Sequence, residues 1–274
     1  MDIERLPISR RLKMNASLVP ECELLADVGC DHAYTCLYLV AGGVAKRALA
    51  LDVRSGPLSR AQENIRRYGM EGRIGTRLSD GLCALAASEA DCILICGMGG
   101  PLMIDILTKD WEKVLAAKCI VLQPQSEIAQ VRSFLHKMGL EIDAEDMCKE
   151  DGKYYTVMRA GKGMPQDGAG EDMDWAACGK DVEECAQDAL FGTDAKERAL
   201  SAKMAYQYGR CLIKQKHPVL KEYVQHELAQ KRAIGQQLAR EASARAAERL
   251  MGVREEISLL EKVAGVLGRG RERN

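Results

Sequence analysis

The sequence predicts an α/β chain: a doubly wound, mostly parallel sheet followed by a carboxyl-terminal helical hairpin. Three observations carry that prediction. Residues 24–39 pass from a short apolar run ending in Asp27, through Gly29, into an apolar series, which is a strand, a tight turn and a helix. Short apolar runs separated by helical stretches then recur as far as Arg159. From Pro218 onward, two long segments carry apolar residues at spacings of three and four.

At 274 residues the chain is long enough for one α/β domain plus something smaller. The net charge of −1 averages over uneven segments: residues 203–274 hold fifteen Lys/Arg against eight Asp/Glu, and residues 141–202 hold seven against sixteen. The carboxyl-terminal region is therefore the half suited to a polyanion. Eleven cysteines form no C-x-x-C pair, and Cys92 and Cys96 fall in an apolar run where zinc ligation would be awkward, so no metal is expected and a reduced cytosol is. No apolar run approaches transmembrane length, and the amino terminus, with Glu4, Arg5, Arg10 and Arg11, has no signal-peptide apolar stretch. A cytoplasmic protein with no membrane partner is expected.

Taken in order, residues 3–19 form a short amphipathic cap helix bearing Arg10, Arg11 and Lys13. The turn after the first strand lies where the next helix offers free backbone N–H groups, so a nucleotide-like ligand is expected. The dinucleotide fingerprint fails, because only Gly29 of its three glycines is present and Asp31 and Ala33 hold the later positions. Asp31 would set a carboxylate against a pyrophosphate; a cationic ligand without phosphate suits it better. The plain alternative is a strand end with a turn glycine.

Residues 45–52 form the second strand, ending in Asp52, whose two carboxylate oxygens match the vicinal hydroxyls of a ribose. Residues 54–59 turn into a helix carrying Ala61, Ile65 and Tyr68 and stopping at Gly69. A third strand at 74–78 leads to Asp80-Gly81, where the acid can accept an adenine amino group; an ordinary Asp-Gly turn is the alternative. Residues 90–96 are a buried central strand, and Gly97-Met98-Gly99-Gly100 after it lets backbone lie close to a flat ligand. A helix from 102 to 107 or beyond, a strand at 119–122, a loop at 123–126 and a helix at 127–138 come next. Residues 140–159 are two strands around Asp151-Gly152, a hairpin signal.

The expected division is 1–160 as the ligand-binding catalytic domain, 161–217 as a Gly-rich linker plus an acidic insertion at 171–200, and 218–274 as a helical hairpin. In the hairpin, Val219, Val224, Leu228, Ile234 and Leu238 lie on one helix, and Leu250, Val253, Ile257, Leu260, Ala264 and Leu267 on the next. With the turn at 241–247, this predicts an antiparallel coiled coil.

These motifs together resemble the bacterial tRNA (adenine-22-N1)-methyltransferases, class I S-adenosylmethionine-dependent enzymes with a Rossmann-like sheet and a helical carboxyl terminus. The resemblance rests on Ile8-Ser9-Arg10-Arg11-Leu12, Gly29-Cys30-Asp31-His32-Ala33-Tyr34, Gly56-Pro57-Leu58, Asp80-Gly81-Leu82, Gly97-Met98-Gly99-Gly100, Leu122-Gln123-Pro124-Gln125, Glu150-Asp151-Gly152-Lys153-Tyr154-Tyr155, and Tyr208-Gly209 leading to Lys216-His217-Pro218. It departs from the family in having Asp52 where Glu is commoner, Arg210 where proline is usual, and a longer acidic insertion.

The resemblance implies S-adenosyl-L-methionine as cofactor and tRNA as partner. It implies a cofactor pocket of Asp27, Gly29, Asp31, His32, Asp52, Asp80, Gly81, Gly97, Met98 and Gly99, with Arg11 and Gly100 toward substrate. Asp31 is the candidate carboxylate beside the developing adeninium charge; His32 either shuttles a proton or caps the helix. Arg11 holds a substrate phosphate or the cofactor carboxylate, and both readings stand. The Asn/Asp-Pro-Pro-aromatic motif of exocyclic-amine methyltransferases is absent, which agrees with a ring nitrogen as nucleophile. The rival readings are a methyltransferase of the same fold acting on another RNA, a protein or a small molecule, and a non-catalytic RNA-binding module. A monomer is expected, with a dimerisation coiled coil as the alternative use of the hairpin.

Overall fold

The computed structural model describes residues 6–162, 195–241 and 243–268. The chain divides into two compact units, Met1–Lys180 and Asp181–Asn274.

The first unit is built on a seven-stranded sheet of β1 (Cys22–Val28), β2 (Ala45–Asp52), β3 (Ile74–Leu78), β4 (Cys92–Met98), β5 (Cys119–Pro124), β6 (Leu140–Glu150) and β7 (Lys153–Lys162). Their spatial order is β3-β2-β1-β4-β5-β7-β6. The first five run parallel, and the β6–β7 hairpin closes the edge antiparallel. Asp151 and Gly152 at the hairpin tip both have positive φ (49° and 76°), the backbone a two-residue tight turn demands.

Alternate strand residues feed two apolar layers, because successive side chains point to opposite faces. Leu25, Ala48, Ala50, Leu94 and Val121 pack with residues of α1 (Arg10–Ser17), α2 (Tyr34–Ala41) and α3 (Ser55–Arg67). Leu49, Leu51, Ile93, Ile95 and Leu122 pack with residues of α4 (Gly100–Lys109), α5 (Trp111–Ala116) and α6 (Ile128–Lys137). Each helix begins where its sequence allows; Ser9 caps α1 by accepting from the backbone N–H of Leu12. A buried ion pair, Arg132 Nε to Glu145 Oε1 at 2.8 Å, ties α6 to β6.

The departures from the sequence reading are local. The central strand begins at Cys92 and runs through Gly97 and Met98, with a bulge between Cys96 and Met98, so the first two residues of the glycine motif belong to the strand. Asp91, expected inside it, instead accepts backbone hydrogen bonds from Glu23 and Leu24 at 3.0 Å each and pairs with Lys118. Helix α5 has no counterpart in the sequence reading, because residues 108–111 contain neither glycine nor proline to announce the break at Asp110. Strand β7 extends through Lys162, two residues into the expected linker.

The second unit holds α7 (Ala195–Tyr208), α8 (Arg210–Lys214), α9 (Pro218–Leu238) and α10 (Ala244–Gly268). Residues 163–170 of the linker and 171–194 of the acidic insertion lie outside the described residues, and 195–200 begin α7. Helices α9 and α10 pack as an antiparallel pair: Ile234 and Leu238 meet Ala246, Leu250, Val253 and Ile257. Gly235 lies against Val253, Ile257 and Leu250, at distances where a Cβ would make ordinary contacts. The turn is shorter than predicted, because Ser243 Oγ accepts from Ala246 N and starts α10 at Ala244. No described helix is long and apolar enough to cross a membrane, and no group of three or more His, Cys, Asp or Glu among the described residues is arranged to hold a metal.

Candidate functional site

The strand order reverses at β1 and β4, the geometry that opens a crevice beyond the carboxyl ends of a doubly wound sheet. Two loops meet there. Gly29 N and Cys30 N donate to Leu51 O at 2.8 and 3.1 Å, which sets the 29–33 loop across the end of β2. Gly29 has φ +75°, a backbone that favours glycine, and a Cβ there would have to displace the flexible end of Met98. Asp31 and Ala33 also adopt positive φ (43° and 57°). Two non-glycine residues held left-handed within three positions store strain, as loops at functional sites often do.

Asp27, at the end of β1, is buried, and Cys36 Sγ donates to its Oδ2 at 3.3 Å. Burial pushes its carboxyl up to about 6, with nearby Asp52 acting in the same direction and the thiol hydrogen bond opposing. An acid raised in the folded state loses stability as pH rises. Below the ordinary value of 3.8 both states hold the proton; between there and about 6 the unfolded chain releases it first; above about 6 the penalty is complete. We therefore expect Asp27→Asn to remove a fall in stability of about 3 kcal/mol at most. Melting temperatures across pH 4–7 check this, and parallel curves for both forms would refute it.

Asp52 is likewise buried and accepts from Arg54 N at 2.9 Å through Oδ1, so its carboxylate keeps further acceptor capacity. Ser79 N donates to Asp52 O at 2.9 Å. Ser79 Oγ donates to Gly81 O and accepts from Ala84 N, shaping the turn that leaves Asp80 exposed. Gly81 has φ +57°, and a Cβ there would lie 2.9 Å from Ile106 Cγ2, so a packing constraint also explains this glycine.

On β4, Gly97 has φ +80° and is exposed, and Met98 O accepts from Gln125 N at 2.9 Å. Gly99 caps α4; Gly100 is buried, donates to Ser126 O at 3.1 Å, and would drive a Cβ to 2.7 Å from that oxygen. Gly100 thus has a packing reason to be glycine.

Arg11 lies on α1. Its backbone N–H donates to Glu150 Oε1 at 3.1 Å, and its guanidinium sits 4.9 Å from the centre of the Tyr155 ring. Its Nε is buried and has no partner among the described residues. One turn on, Asn15 is fully buried with neither amide atom paired, and Gln123, on β5 in register with Cys96, is fully buried with Oε1 unpaired. A buried polar group left without a partner costs roughly 1–3 kcal/mol, so these side chains mark where water or a ligand's polar atoms would be accommodated.

The structure thus brings Asp27, Gly29, Asp52 and Met98 together at the switch point, with Asp31 and His32 in the adjoining loop and Asp80 and Gly81 joined to Asp52 through Ser79. Arg11 contacts Glu150 and Tyr155. The sequence reading gave no site role to Asn15, Ser79 or Gln123; it placed Gln123 in a loop, within the Leu122-Gln123-Pro124-Gln125 motif, whereas β5 runs on through Pro124.

Known proteins resemble this chain in sequence and in fold. A methyltransferase-domain family model matches residues 8–158. The tRNA (adenine(22)-N(1))-methyltransferase of Bacillus subtilis (strain 168) is 34% identical over 161 residues, covering 59% of this chain and 68% of that protein. The crystal structure of the B. subtilis m1A22 tRNA methyltransferase superposes with a TM-score of 0.73 at 27% identity, over 95% of this chain and 100% of that one. A Streptococcus pneumoniae protein, described as a candidate m1A22 tRNA methyltransferase and solved in complex with S-adenosyl-L-methionine, gives 0.71 at 27% identity, over 94% and 99%.

Proposed function

The chain belongs to the tRNA (adenine(22)-N(1))-methyltransferase family, and on that premise we propose that it transfers the methyl group of S-adenosyl-L-methionine to N1 of adenine 22 in the D-arm of tRNA. The observation that carries the reading is the switch-point crevice, where two buried strand-end carboxylates, Asp27 and Asp52, stand beside glycine loops. Such a pocket repels a dinucleotide's pyrophosphate and suits a cofactor that is cationic at sulfur and carries a ribose. The cofactor supplies an electrophilic sulfonium methyl.

The residues divide the remaining work. Asp52 accepts the ribose hydroxyls, and the 79–81 turn, with Asp80 exposed at its tip, receives the adenine ring of the cofactor. Gly97, Met98 and Gly99 bring backbone close to the ligand. Adenine N1 has an in-plane lone pair, so the chain's task is to aim that nitrogen along the line of attack rather than to activate it. The base becomes cationic as the N–C bond forms, and the Asp31 carboxylate stabilises that charge. His32 Nε2 lies 3.5 Å from Asp31 Oδ2, placed to share a proton with it. Arg11, its guanidinium over the Tyr155 ring and its Nε buried without a partner among the described residues, holds the substrate side.

Nucleoside mass spectrometry of tRNA incubated with protein and S-adenosylmethionine tests the reading. 1-Methyladenosine is the expected product; N6-methyladenosine or no modification would overturn it. Asp52→Ala should weaken cofactor affinity about tenfold or more, since losing a charge-assisted pair of hydrogen bonds costs on the order of 1.5–3 kcal/mol. Calorimetry checks this, and unchanged affinity in a folded variant removes Asp52 from the pocket.

A further inference from the structure

Helix α3 holds the 29–33 loop through two side chains four residues apart, which a helix places on one face. Asn64 Nδ2 donates to His32 O at 3.0 Å, fixing backbone. Arg60 Nη2 donates to Asp31 Oδ1 at 3.1 Å, fixing the side chain. The other carboxylate oxygen, Oδ2, faces His32 Nε2 at 3.5 Å, so Asp31 is bracketed by two nitrogen groups in a loop whose backbone is already constrained by positive φ at Asp31 and Ala33.

We propose that Arg60 is a positioning residue for methyl transfer, acting through Asp31: it fixes the orientation of the Asp31 carboxylate so that its charge faces the base as the base becomes cationic. The inference rests on the role of Asp31 given above. Both partners are largely exposed (49% and 62% of their side chains), and an exposed pair of this kind contributes little to folding, so it has no evident stability role. Preorganised charge lowers a barrier because it needs no rearrangement as the transition state forms, and an aspartate free to rotate would lose that advantage. The pairing is made through one nitrogen rather than through the forked geometry in which arginine is irreplaceable, so lysine, a point charge of similar reach, can serve.

The test is a double-mutant cycle on the full chain, with single-turnover methylation of tRNA, KM for tRNA and cofactor affinity measured for Arg60→Ala, Arg60→Lys, Asp31→Asn and the double variant Arg60→Ala/Asp31→Asn. We expect Arg60→Ala to slow single-turnover transfer about tenfold. Cofactor affinity, KM for tRNA and melting temperature should hold, and Arg60→Lys should recover most of the rate. In the Asp31→Asn background the Arg60 replacement should add no further loss. A loss that persists in full without the Asp31 charge, or that appears in KM for tRNA, would show that Arg60 meets the RNA itself and overturn the proposal. An unchanged rate for Arg60→Ala beside a slow Asp31→Asn would overturn it alone. An unchanged rate for Asp31→Asn would overturn the catalytic role of Asp31 and this inference with it.

Discussion

Asp31→Asn is expected to slow single-turnover methylation by about a hundredfold or more while leaving affinity for S-adenosylmethionine within a few-fold. The substitution keeps the size of the side chain and an oxygen for Arg60 Nη2 to reach, and removes only the charge. In the ground state adenine is neutral, so the carboxylate gains little from it; as the N1–C bond forms, the base carries close to a full positive charge. An interaction present only in the transition state lowers the rate of transfer when lost and leaves ground-state binding alone. A hundredfold corresponds to about 2.7 kcal/mol, the size of loss typical when one preorganised group facing developing charge is removed. Quench-flow at saturating cofactor, together with calorimetry, separates the outcomes. If cofactor affinity fell in step with the rate, Asp31 would be a cofactor ligand, and the charge-stabilising role would be wrong.

What the sequence made legible, and what it left hidden, follows from how each feature is encoded. Strands β2 and β3 lie where the apolar runs put them, and Asp27 and Asp52 could be picked out because an acid closing such a run is a local signal. Gly97 and Met98 misled because glycine reads as a turn, whereas here its positive φ makes a bulge within a continuing strand. Gly81 and Gly100 also have a packing reason to be glycine, because Ile106 and Ser126 press on them, neighbours that no local pattern announces. Arg60 and Asn64 received no role from the sequence, because their partners are 29 and 32 residues earlier and only the packing of α3 beside the 29–33 loop brings them there. Buried Asn15 was hidden for the same reason, since one amide on a short cap helix carries no periodicity.

Removing the helical hairpin is expected to abolish most tRNA affinity while leaving cofactor binding in place. Every residue assigned to the cofactor pocket lies between Asp27 and Gly99, in a unit with its own two-layered core, so a chain ending near Gly163 should still bind S-adenosylmethionine. The surplus of positive charge falls in residues 203–274, all beyond that cut. The hairpin's apolar seam consumes Ile234, Leu238, Leu250, Val253 and Ile257, and Lys231 and Arg232 are tied to Glu256 and Glu261. Arg240, Arg245, Arg249 and Arg254 stand exposed around and just beyond the turn between the helices, where a phosphate backbone can reach them. Each phosphate they neutralise releases about 0.9 counterion on duplex nucleic acid, so binding by the intact protein should weaken steeply with salt. Replacing Arg240, Arg245 and Arg249 with alanine in the full chain should flatten the slope of log affinity against log salt by about one for each phosphate no longer neutralised. The target adenine lies in a folded arm, so exposing it draws on binding energy gathered elsewhere, and the same replacements should harm structured tRNA more than a short single-stranded fragment. Filter binding across a salt series measures both effects. Undiminished affinity in the shortened chain, with an unchanged slope in the triple variant, would leave the hairpin as a stability or self-association element and move the RNA site onto the first unit.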